Sequence, residues 1–135
     1  MNNEGGIVET SGYSFEDLEV YKSAREFRKK MYSLIKRLPV SEQYNLQPQM
    51  RRAALSITNN IAEGHGRYHY QETMQYVRQS RGSLEELIDD LNVCADEHYI
   101  SSDEIESLKH ESYTLLKKMN GYIAYLRKRK NNSTT

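Results

Sequence analysis

Apolar residues recur at alternating spacings of three and four through four separate segments of this 135-residue chain, with no strand-like alternation of useful length. That period is the face of an α-helix packed on other helices. Val20, Ala24, Phe27, Met31, Leu34 and Leu38 make the first seam. Met50, Ala53, Ile57, Asn60 and Gly64 make the second, with Asn60 its one polar member. Val77, Ser80, Leu84, Leu87, Leu91 and Cys94 make the third, and Ile105, Leu108, Ser112, Leu115, Met119, Tyr122 and Leu126 the fourth. The connections between them are short. The pattern predicts an all-α fold, an antiparallel up-down-up-down four-helix bundle.

Local signals give the boundaries. Ser14 is a good N-cap for the first helix, with Glu16, Asp17 and Glu19 in its positive first turns, and Pro39 ends it. Pro48 suits the opening of the second helix. Gly64 is read as its close, in the left-handed conformation glycine tolerates. The third helix is expected over about Tyr70 to Glu97. It has Gly82 inside it, which costs up to about 1 kcal/mol unless a close crossing or slight bend compensates. Ser101-x-x-Glu104 has capping-box spacing for the fourth. Residues 1–13, with two adjacent glycines, are expected to be a flexible arm; residues 14–130 the bundle; residues 131–135 a disordered tail.

One domain of this length buries about two-thirds of its unfolded surface, enough for a core without staples. The lone Cys94 forms no internal disulfide and suits a reducing compartment. No apolar run reaches membrane-spanning length, and the amino terminus lacks the features of a signal peptide. A cytoplasmic location, with no membrane partner, is the expectation.

The words Arg-Arg-Ala-Ala-x-Ser-Ile-x-x-Asn-Ile-Ala-Glu-Gly-x-x-Arg, running from Arg51 to Arg67, resemble a signature of the four-helix-bundle family of 23S rRNA intervening-sequence proteins. Phe15-x-x-Leu18-x-Val20-Tyr21, Leu38-Pro39 and Gly82-Ser83-Leu84-x-Glu86-Leu87 resemble other parts of that family, in the same order. The resemblance covers roughly residues 14–126. It implies a homo-oligomeric ring, a homopentamer, associated with RNA. Accessory proteins of diversity-generating retroelements are similar in architecture, and imply the alternative of a subunit that binds a reverse transcriptase and its RNA. A protein–protein adaptor without nucleic acid is the third reading, favoured by a formal net charge of zero.

Charge is sorted along the chain although it sums to nothing. Residues 20–81 carry twelve basic and four acidic residues; residues 85–111 carry ten acidic and one basic. Folded up and down, one end of the bundle holds Lys36, Arg37, Arg51 and Arg52 on one hairpin and an acidic block on the other. Ion pairs inside the chain would use that split, and so would a head-to-tail contact with a neighbouring subunit, the kind that closes rings. The opposite end gathers Arg67, Arg127, Lys128, Arg129 and Lys130 with several tyrosines. Cations for phosphates and flat rings for bases suit single-stranded nucleic acid, while the same cations also suit a plain helix cap. Arg51 and Arg52 are divided between RNA and subunit contact. Leu55, Ser56, Asn60, Glu63, Gly64 and Gly82 are assigned to subunit interface or packing.

No catalytic constellation emerges. Glu63, His65 and His69 match no metal-binding spacing, there is no phosphate-cradling glycine loop, and Cys94 lies on an apolar seam where a thiol is usually inert. The expectation is a non-enzyme with no cofactor and no metal.

Overall fold

A computed structural model of the chain describes residues 14–133. Among these, every regular element is helical: α1 (Glu19–Ile35), α2 (Leu46–His65), α3 (Tyr70–Asp96) and α4 (Ser102–Ser133), with one turn of 3-10 helix at Phe15–Asp17 and another at Val40–Glu42. Cross-helix bonds fix the direction of packing. Arg28 meets Thr58 while Gln47 reaches Ile35; Thr73 meets Gly64 while Ser80 meets Ile57. Arg81 meets Asn120 and Lys109 meets Asn92; Lys118 meets Ser23 and Arg37 meets Glu104. In each pair the numbers rise on one helix as they fall on the other, so all neighbours are antiparallel, as the spacing predicts.

The seams are the core. Phe27, Met31, Leu34, Met50, Ile57, Val77, Leu84, Leu87, Leu91, Cys94 and Met119 are fully buried. Truncating a leucine in such a core removes its transfer energy and leaves a cavity, together about 2–5 kcal/mol. On α4 the stripe drifts: Ile123 is buried and Tyr122 only partly so, because a straight helix turns slightly past a strict seven-residue repeat.

Several boundaries differ from the expectation. Ser14 does cap a helix, accepting from the Glu16 N–H at 3.1 Å, but the helix is the short 3-10 turn; α1 begins at Glu19 behind Leu18. Pro48 is the third residue of α2, still within the first four whose N–H groups have no helical partner. α4 continues through Ser133, so the first three residues of the expected tail are helical, and residues 134–135 lie outside the described residues. The arm at 1–13 lies outside the described residues.

Two glycines need correction. Gly64 does not close α2 in a left-handed turn: the helix runs on to His65 and is capped by Gly66, whose φ of −81° is right-handed. Gly64 is small for another reason. A Cβ there would lie 2.7 Å from the Cβ of Tyr76 and 3.3 Å from the Thr73 carbonyl, so α3 presses on α2 at this point. At Gly82 the reverse holds. Nothing lies within 4 Å of a Cβ built there, and the close crossing expected for it is absent among the described residues.

α3 ends without a glycine. His98 takes the left-handed conformation, φ 58°, and donates its N–H to Ala95 O at 3.1 Å, while the Tyr99 N–H reaches back to Cys94 O at 2.9 Å. This is a Schellman ending. The Tyr99 hydroxyl then donates to Glu42 Oε2 at 2.7 Å, tying the two connections at this end together and holding the Glu42 carboxyl below its usual range.

Candidate nucleic-acid interface

The Arg51–Arg67 motif turns out to be mostly a seam between α2 and α3. Thr73 Oγ1 donates to the Gly64 carbonyl at 3.0 Å, and Ser80 Oγ to the Ile57 carbonyl at 2.7 Å. Ser56 and Ser83 share a hydroxyl bond of 2.8 Å, and Asn60 Nδ2 donates to both the carbonyl and the hydroxyl of Ser56 at 2.9 Å. Short side chains that pair across the gap let two backbones approach while satisfying buried polar groups. Ser56, Asn60 and Gly64 are therefore packing residues of this seam.

Glu63 and Arg67 complete its lower end. Arg67 donates to Glu63, four residues back in the same motif, and to the Tyr76 hydroxyl at 2.7 Å, and its guanidinium lies 4.8 Å from the Tyr76 ring centre. The sequence groups Arg67 with the phosphate-binding cations. In the fold it is a half-buried strut between α2 and α3, with its charge already engaged. Sequence reasoning does not find Tyr76 as its partner, because nothing in the spacing pairs a loop arginine with the second turn of the next helix.

Arg51 and Arg52 diverge although they are adjacent. Arg51 stacks on Tyr32 of α1, 4.5 Å from the ring centre. Arg52 is exposed and makes no hydrogen bond or ion pair with any described residue. Leu55, one turn further on, is 42% exposed. Part of the charge split at this end of the bundle is consumed inside the chain: Arg37 pairs with Glu104 through both guanidinium nitrogens, and Lys30 with Glu111 at 2.9 Å.

The aromatic and basic cluster sits at the other end, on the last turns of α4. Tyr122 and Tyr125 stack with ring centres 6.3 Å apart and planes 10° from parallel. Arg129 lies 5.9 Å from the Tyr125 ring centre. Arg127 and Lys128 are exposed, Arg129 and Lys130 partly so. The α2–α3 connection reaches this same end and carries Tyr68, 62% exposed, edge-on to His69 at 4.7 Å. Of the five cations assigned here from sequence, four stay together on one helix and Arg67 is set apart by its bonds.

The groups that could carry chemistry are placed differently. Burial lowers the pKa of His65, favouring the neutral ring. Burial, with Asp90 nearby, pushes the Cys94 thiol to about 11, far from a nucleophile at neutral pH. Among the described residues no three histidine, cysteine or acidic side chains form a group able to hold a metal ion. No described helix is long and apolar enough to cross a membrane. The groove between α1 and α4, about 330 Å³, is lined by Glu19, Lys22, Glu26, Glu111 and Lys118, a charged surface rather than a closed site.

A family model described as 23S rRNA-intervening sequence protein matches residues 16–121. Among solved structures, the chain is similar to a protein of unknown function from the S23 ribosomal protein family of Bacteroides thetaiotaomicron, with a TM-score of 0.71 and 24% identity. That match covers 77% of this chain and 97% of the other, and at this identity it speaks for the fold. No curated protein matches.

Proposed function

The chain belongs to the 23S rRNA-intervening sequence protein family, and from that premise we propose that it is a non-catalytic, RNA-associated scaffold that works as a ring of identical subunits, five by resemblance. The observation that carries the RNA part is the end of α4. Tyr125, 44% exposed and stacked on the half-buried Tyr122 with Arg129 near its ring, is an aromatic edge for bases beside Arg127, Lys128 and Lys130 as cations for phosphates. Each stacked base contributes about 1–3 kcal/mol in such sites, with little regard for sequence. One patch of four cations is a weak site in a chain of zero net charge. A ring repeats the patch around one rim, and the later contacts become intramolecular. The scaffold thus needs its assembly to hold RNA. No step of chemistry is assigned to it, in keeping with the one thiol being buried with its pKa pushed up to about 11.

Crosslinking in the native cell followed by sequencing of the copurified RNA tests this. Strong enrichment of one RNA is expected, and its identity separates a ribosomal insert from a reverse transcriptase template. Reversing Arg127 and Lys128 to glutamate should remove the enrichment and flatten the salt dependence of binding by roughly 0.7 in log–log slope for each phosphate no longer neutralised. No enrichment over a mock sample would overturn the RNA reading in favour of a protein adaptor.

A further inference from the structure

Helix α1 treats its cations in two ways. Toward α4 they meet acids: Lys30 bonds Glu111 at 2.9 Å, and Arg37 bonds Glu104. Toward α2 they do not. Arg25 and Lys36 are exposed and make no hydrogen bond or ion pair with any described residue. Lys29, at the edge of the same flank, has only Glu26 of its own helix, at 3.5 Å with both side chains 60% exposed. Such a pair contributes little in water.

These cations form a row. Tyr21, Arg25, Arg28, Tyr32 and Lys36 recur at spacings of four, three, four and four, which is one stripe of a helix, and no acid interrupts it. Two contacts fix where the stripe faces. Arg28 donates to Thr58 Oγ1 at 2.8 Å, and the Arg51 guanidinium lies 4.5 Å from the Tyr32 ring centre. The row therefore runs along the α1–α2 groove, and α2 adds a cation of its own. The matching flank of α2 is Arg51, Leu55, Thr58 and Ala62, again without an acid. From Arg25 to Lys36 the row extends about 16 Å along the helix axis.

The rings of this stripe are not open to bases. Tyr32 carries Arg51 on its face, Tyr21 meets Phe15 edge-on with centroids 4.9 Å apart, and both tyrosines pack against the core. That separates this surface from the end of α4, where Tyr125 is 44% exposed. Cations with covered rings bind phosphates and read no base. A second copy of the chain fits the row poorly. Interface centres are poor in charge and rich in aromatic side chains, whereas the one large apolar side chain exposed on these two flanks is Leu55. Residues 19–65 hold nine basic and four acidic residues in a chain whose charges cancel, so a polyanion is drawn to this hairpin and turned away from the other. Double-helical RNA keeps its bases paired and is recognised mostly by shape and by its sugar–phosphate backbone, which is what this row can contact.

We propose that the α1–α2 groove, through Arg25, Arg28, Lys36 and Arg51, holds the phosphate backbone of double-helical RNA without regard to its sequence. This rests on the RNA reading above and adds to it a second surface, for paired rather than single strands.

Fluorescence anisotropy with two probes tests it: a blunt RNA duplex of about 16 base pairs and oligouridine of the same strand length. R25Q/K36Q removes two exposed cations that no described residue engages, and R127Q/K128Q removes two at the end of α4. Circular dichroism confirms that each variant folds, and native mass spectrometry reads its assembled mass. R25Q/K36Q should weaken duplex binding by about 10-fold or more and lower its log–log salt slope by about 2, while oligouridine affinity stays within about two-fold. R127Q/K128Q should do the reverse. A second duplex of unrelated sequence should bind as tightly as the first. A wild type that binds oligouridine but no duplex, or a folded R25Q/K36Q with unchanged duplex affinity and salt slope, would overturn this surface and leave the α4 reading standing. Duplex binding lost in R25Q/K36Q, with oligouridine indifferent to R127Q/K128Q, would support this surface and remove the one on α4. A changed mass in R25Q/K36Q would assign the row to contact between copies of the chain, which overturns the proposal.

Discussion

The α2–α3 seam and the α1–α4 seam are built from opposite materials. Between α2 and α3, short hydroxyls bond to backbone carbonyls and to each other at 2.7–3.0 Å, around a glycine that cannot grow. Between α1 and α4, long charged chains reach across an open groove: Lys30 to Glu111, Arg37 to Glu104, Lys118 to Ser23. Buried short side chains lose little entropy and would leave costly unpaired groups if broken. Exposed ion pairs order two long side chains for a screened attraction. The comparison teaches that long charged chains span two helices where a groove separates them, while small polar residues sit where the backbones approach closely.

The strongest way to break that contrast is at Gly64. Gly64→Ala puts a methyl 2.7 Å from the Tyr76 Cβ, so the helices must separate or shift. The loss should be about 1–3 kcal/mol by chemical denaturation. Gly82→Ala meets open space and should instead stabilise the isolated subunit by about 0.5–1 kcal/mol. Equal effects at the two glycines would refute the locked seam.

Asn60→Leu removes both bonds to Ser56 and should cost about 1–2 kcal/mol. An unchanged melting temperature would mean the amide is dispensable to the seam.

Asp90 sharpens the contrast through pH. Its carboxyl titrates near 6 when folded, above its ordinary value of 3.8, so the folded chain binds the proton more tightly than the unfolded one. The penalty is therefore full above pH 6 and relieved as pH falls toward 4. Stability should therefore rise as pH falls across that window, and D90N should abolish the rise. Glu42 works in the other direction: its lowered pKa adds stability that is lost as pH falls through its folded value. A profile in which D90N and the wild type respond identically between about pH 7 and 5 would show that Asp90 is not desolvated.

The smallest effect belongs to the α1–α4 side. Lys30→Ala should change stability by less than about 1 kcal/mol, and less still in high salt. A loss as large as that at Asn60 would mean the groove is as firmly closed as the seam.

Much of this is legible in the residues. Val20, Phe27, Met31 and Leu34 on one helix, or Leu84, Leu87 and Leu91 on another, are buried because apolar side chains at a period near 3.6 must share a face. The motif from Arg51 to Arg67 marks the right segment, and Ser56 and Asn60 the right kind of role. Arg67 misleads because its charge is visible along the chain and Tyr76 is not. Gly64 misleads because glycine near a helix end has two uses, a left-handed turn or a close approach, and only the position of α3 tells them apart.

Helix number, order and buried faces follow from periodicity and short connections, which act within one segment at a time. The tertiary structure decided everything that depends on the distance and register between segments. It turned Gly64 into a contact, Arg67 into a strut and Arg51 into a stacking partner of Tyr32, left Arg52 exposed, and sank the Asp90 carboxylate without a hydrogen-bond partner for its Oδ2. Those outcomes are set by how far apart two helix axes lie and which turns stand opposite, and no spacing along a single helix encodes that.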